Sequence, residues 1–124
     1  MTVVDGNTGK VVDTQPIGRG VDATEFDPEK GLVFFSTGGG NGALSVFHQD
    51  SPDKYTVVAT VPTFPGAKTI SVDPKTHNVY LFQPERGPAP PPAPDAPPPA
   101  AGAGGRGRGP LGPIIAAWFI VIKS

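Results

Sequence analysis

Short runs of β-branched and aromatic residues alternate with clusters of Gly, Pro, Asn and Asp along most of the chain. Residues 2–5, 10–14, 23–26, 32–36, 44–48, 56–61, 69–72, 79–82 and 117–122 each have the composition of a strand, bounded by residues that favour turns. No segment carries a sustained 3.6-residue apolar period between helix caps. The pattern predicts an all-β protein of nine strands.

Self-comparison gives the strands an order. With the chain shifted by 46, Val11-Val12 falls on Val57-Val58, Thr14 on Thr60, Pro16 on Pro62 and Gly20 on Gly66. In the same frame Asp27-Pro28 falls on Asp73-Pro74 and Val33-Phe34 on Val79-Tyr80. At a shorter shift Val3-Val4-Asp5 lies on Val46-Phe47-His48, the difference being absorbed in the turn before Lys54. Asp27-Pro28-Glu29-Lys30-Gly31 predicts a type I turn with glycine at its exit, and in Asp73-Pro74-Lys75-Thr76-His77-Asn78 the asparagine is expected to replace that glycine. A period in the forties holding four short strands is that of a propeller blade, a sheet that must stack on neighbours to bury both faces.

Val3-Val4-Asp5-Gly6-Asn7-Thr8-Gly9-Lys10-Val11-Val12, Pro16-Ile17-Gly18-Arg19-Gly20-Val21, Phe26-Asp27-Pro28 and Val79-Tyr80-Leu81 resemble the YVTN-type β-propeller repeat, whose relatives are lactonase-like and quinoprotein-like. The resemblance spans residues 2–83; the signature tetrapeptide stands here as Phe34-Phe35-Ser36-Thr37 and Tyr80-Leu81-Phe82-Gln83. It implies a partial β-propeller, read from axial strand a to outer strand d as c–d, a–b–c–d, a–b–c. It also implies residues 1–83 as blades, 84–113 as a Pro/Gly-rich loop, and 114–124 as a last blade strand in which Trp118 and Phe119 pack between blades. A closed propeller needs about four blades or more. The chain is therefore expected to associate with itself or with the remaining blades of a larger propeller. Members of the family are exported, so a periplasmic or extracellular location follows from the resemblance, although residues 1–5 carry no signal-peptide pattern.

Composition narrows the chemistry. Ten basic against eleven acidic residues leave a net charge of −1, which argues against nucleic-acid binding through a basic surface. Cysteine is absent, excluding disulfides and thiolate metal sites. The longest apolar run, 114–122, is half of what a membrane-spanning helix requires. Residues 84–113 hold 11 of the 17 prolines and 7 of the 17 glycines, predicting polyproline II or disorder. Arg106 and Arg108 between glycines make a short RGG-like element, read as part of a solubilising linker.

Propellers bind ligands where loops enter strand a and leave strand b. Those loops carry Arg19, Asp22, Asn41, Lys68 and Arg86, a mixed-charge set that suits a polar or anionic small molecule or a peptide; ordinary solvated loop charges are the alternative. Asp5-Gly6-Asn7-Thr8-Gly9 opens like a calcium loop, but Pro16 stands where the twelfth-position glutamate belongs, so a hairpin turn is expected. Thr37-Gly38-Gly39-Gly40-Asn41-Gly42 lacks the lysine and helix of a phosphate cradle and predicts a flexible loop. His48 and His77 are expected at the surface, at the turn end opposite the ligand loops, and no metal or cofactor site is predicted. Ser36, Ser45 and Ser71 lack a nucleophile context. The leading expectation is a non-enzymatic binding or scaffold module. Alternatives are a self-assembling structural subunit and a lactonase-like hydrolase remnant resting on Asp22 and Glu25.

Overall fold

The computed structural model describes residues 1–91 and 112–123, and among them nine strands and no helix. The strands are β1 (Thr2–Val4), β2 (Val11–Thr14), β3 (Val21–Asp27), β4 (Leu32–Thr37), β5 (Ala43–Ser51), β6 (Lys54–Pro62), β7 (Lys68–Val72), β8 (Val79–Arg86) and β9 (Ile114–Ile122). They sort into three antiparallel sheets, β1-β2, β3-β4-β5-β6 and β7-β8-β9. The all-β class predicted from the sequence pattern is what forms. Two compact units result, Met1–Gln83 with Phe119–Ser124, and Pro84–Trp118.

Strand ends differ from expectation where a neighbour, rather than local composition, decides. β8 continues through Pro84 to Arg86, although proline was expected to stop it. Its pairing with β7 runs from Val72↔Val79 to Lys68↔Phe82, and the strand continues four residues past that register. β9 likewise starts three residues earlier than predicted, at Ile114. Residues 92–111, with Arg106, Arg108 and most of the predicted loop, lie outside the described residues.

Period-two alternation builds the core of the first unit. Phe34, Leu44 and Val46 on one face of the four-stranded sheet meet Ile70, Val79 and Leu81 of the third sheet, with Ala67 between them. Ile120 and Ile122 of β9 join this cluster, so alternation turns Phe119 and Val121 away from it. Phe119 is 76% exposed, its ring edge-on to that of Phe82 with centroids 6.1 Å apart, and Trp118 is 59% exposed with its indole N–H donated to Glu85. Neither is packed as the sequence reading expected. β5 is buried on both faces from Leu44 to Phe47 because it lies inside its sheet and is covered on each side.

β3 runs beside β7, and β2 beside β6. The latter contact is fastened by the Gln15 side-chain amide donating to the Tyr55 carbonyl and by the Tyr55 N–H donating to Asp13. First and last strands of successive sheets thus lie next to their counterparts.

Three turns share one mechanism. Asp5, Asp27 and Asp73 each accept, on a carboxylate oxygen, the N–H two residues ahead. Asp5 and Asp27 also accept the N–H three residues ahead. The fifth residue is left-handed in every case: Gly9 (φ 68°), Gly31 (φ 62°) and His77 (φ 58°). The shift of 46 puts His77, not Asn78, on Gly31, which corrects the expectation for this turn.

Candidate functional site at the glycine-loop end

The connections β2–β3, β4–β5 and β6–β7 lie together at the end opposite these turns. Backbone hydrogen bonds tie them: Gly38 N–H donates to Gly20 O (3.0 Å), Gly39 N–H to Arg19 O (3.1 Å), Thr63 N–H to Gly42 O (3.2 Å) and Gly66 N–H to Gly38 O (3.2 Å). The approach is close enough to exclude side chains. A Cβ on Gly39 would stand 2.6 Å from the Arg19 carbonyl, and one on Gly42 2.2 Å from that of Phe64. The glycine run is therefore a bracket between two loops and not the flexible connection predicted from its composition. Its glycines are there because backbone meets backbone.

Four of the five predicted site residues sit on or beside this bracket. Arg19 is exposed, and its carbonyl holds Gly39. Asn41 is exposed at the tip of the glycine run, and Lys68 opens β7 half-buried. Among the described residues no hydrogen bond or ion pair joins the side chains of Arg19, Asn41 and Lys68 to protein groups. Asp22 differs: its carboxylate accepts the Thr69 N–H at 2.8 Å, linking β3 to β7 across 47 residues of sequence. Thr69 sits at φ 56°, a conformation that disfavours β-branched residues, at an irregularity in the β7–β8 register. One of the two carboxylate oxygens of Asp22 is thereby engaged in joining these strands. Arg86 belongs to the other unit, where its guanidinium donates to the Gly112 carbonyl at 3.0 Å. It is part of the β8–β9 connection's own bonding.

The opposite end holds a pair that sequence reasoning passed over. His77 Nδ1 lies 2.6 Å from Asp27 Oδ2, and Asp27 is 2% exposed. Burial pushes the Asp27 carboxyl upward, but the His77 hydrogen bond, the N–H groups of Lys30 and Glu29 and the charge of His77 outweigh it and hold it below its ordinary value. The repeat marks the position: His77 aligns with Gly31, so this left-handed turn residue carries a side chain, and it reaches Asp27. His48 bonds Asp50 at 2.8 Å on the surface. Asp5, considered above as a calcium ligand, is occupied by the N–H groups of Thr8 and Asn7, which hold its carboxyl below the usual range. Among the described residues no three His, Asp or Glu side chains converge as a metal site.

Two clefts open on the face of the four-stranded sheet that carries Phe35 and Phe47. One of about 190 Å³ is walled by Pro16, Ile17 and Gly18 over Phe47 and Val57. The other, about 360 Å³, lies between β1 and a floor of Thr24, Val33, Phe35 and Tyr55. Comparison with known proteins adds nothing to these observations: no family model, no curated protein and no solved structure matches the chain.

Proposed function

We propose that the chain is a segment of a YVTN-like β-propeller that serves as a non-enzymatic binding or scaffold module. The loop end is its binding platform, for a small polar or anionic molecule or a partner chain. The observation that carries this reading is the bracketed set of three loops, which holds Arg19, Asn41 and Lys68 on a rigid backbone with their side chains uncommitted. Rigid loops lose little conformational entropy on binding, so even a few polar contacts retain their strength. The sheet grouping supports the propeller part of the reading, because β3 beside β7 and β2 beside β6 is how blades meet around an axis.

The test is a nuclear magnetic resonance titration of the full chain with small dicarboxylates, sugar phosphates and short acidic peptides. Shift changes should cluster on Arg19, Gly38 to Asn41 and Lys68. Arg19→Ala and Lys68→Ala should each weaken the response at least fivefold. Shifts that map elsewhere, or the absence of any response across the panel, would count against the platform.

A further inference from the structure

The 360 Å³ cleft beside β1 has the form of a slot for added strands. Its floor is the face of the four-stranded sheet opposite the core, and Phe26, paired with Val33, extends it while remaining 46% exposed. Its wall is the edge of β1. Met1 and Gln15 exchange both backbone hydrogen bonds, and Asp5 N–H donates to Lys10 O. By alternation, Thr2 and Val4 turn their backbone groups away from β2, toward the cleft. An unpaired edge above an apolar floor is completed by a strand that pairs with the edge and stacks on the floor.

The molecule already contains the matching shape. The four-stranded sheet buries its other face against β7 and β8. The opposite face of β8 presents Tyr80 and Phe82, since Val79 and Leu81 point to the core. Resting on the propeller reading above, we infer that the slot receives the β7–β8 hairpin of a second copy of this chain, whose β8 pairs with the free edge of β1. The stack seen once within the molecule then continues between molecules.

In that arrangement β1 replaces β9 beside β8 of the neighbouring copy. The repeat supports the exchange. Val3-Val4-Asp5 matches the third strand of the complete sheet, whereas the shift of 46 places that strand's Leu44 to His48 on residues 90–94, four of which are proline. β9 comes from outside the repeat and leaves Ile115, Trp118 and Phe119 more than half exposed. β7–β8 of one copy with β1–β2 of the next makes one blade, and β3–β6 makes another. Two blades per copy close a ring of two to four copies at about four to eight blades.

The test is sedimentation velocity of the full chain over a range of concentrations, beside Val4→Pro, which removes an outward N–H from β1, and Phe26→Glu, which charges the floor. Circular dichroism verifies that both variants keep their sheet content. The expected result is a species of two, three or four chain masses, with dissociation shifted at least tenfold upward in concentration by each substitution. A chain that stays single at every concentration, or an assembly that neither substitution weakens, overturns the inference and leaves the intramolecular sheets as described. An assembly that both substitutions weaken, but whose particles show no axial hole in electron micrographs, overturns the propeller reading as well.

Discussion

Replacing Gly42 by alanine asks whether the glycine run is a bracket or a tether. Gly42 sits at φ 80°, and an added Cβ would stand 2.2 Å from the Phe64 carbonyl oxygen, more than an ångström inside ordinary contact. The left-handed conformation alone costs an L-residue about 1–2 kcal/mol. The clash adds to this. Relief requires the β4–β5 and β6–β7 loops to separate, which stretches Thr63 N–H to Gly42 O and Gly66 N–H to Gly38 O, both 3.2 Å. Each is worth about 1 kcal/mol. The substitution should therefore destabilise by about 3–4 kcal/mol. Gly9→Ala is the internal control. Gly9 has φ 68° but nothing within 4 Å of the added Cβ, so it carries the conformational cost alone, about 1–2 kcal/mol. Urea unfolding followed by circular dichroism, with unchanged m-values, measures both. Equal losses for the two variants would refute the bracket, because only the conformational term would then be acting.

Further outcomes follow from the same contacts. Because the folded Asp27 carboxyl lies below its unfolded value, its contribution to stability is complete above about pH 4 and is lost as pH falls through the depressed folded value. Asp27→Ala should cost about 2–3 kcal/mol at neutral pH and flatten the acid limb of a stability profile; an unchanged limb would contradict this. Thr69→Gly should stabilise by about 1 kcal/mol in thermal unfolding, since the left-handed strain is removed while the N–H to Asp22 stays, and a loss would show that the threonine side chain matters more than its backbone. Leu44→Ala should cost about 2–5 kcal/mol, as Leu44 is fully buried at the centre of the first unit.

Much of the fold was legible because its signals are local. Val33-Phe34-Phe35 and Val57-Val58 make strands through β-branched and aromatic content, Asp-Pro pairs mark turns, and the shift of 46 groups the strands. Less was legible wherever a distant residue decides. Gly38 to Gly42 looks flexible by composition and is held by loops some twenty residues away on either side. Pro84 looks like a terminator, yet β8 runs through it to Arg86. Phe119 looks like core, yet Ile120 and Ile122 take the inward positions, and Trp118 gives its indole N–H to Glu85. At the candidate site the loop positions of Arg19, Asn41 and Lys68 were readable. The commitment of Asp22 to Thr69 and of Arg86 to Gly112 was not, because both partners are backbone groups with no sequence mark.

In one folded chain β3 lies beside β7, and β2 beside β6. A nuclear Overhauser spectrum of the isotope-labelled protein tests it directly, at concentrations where it sediments as a single copy. Cross-peaks between the Thr69 amide proton and the Asp22 side chain, and between the Gln15 side-chain amide and Tyr55, are expected. A well-dispersed spectrum in which Thr69 and Gln15 show contacts only to their own sheets would contradict the stacked order.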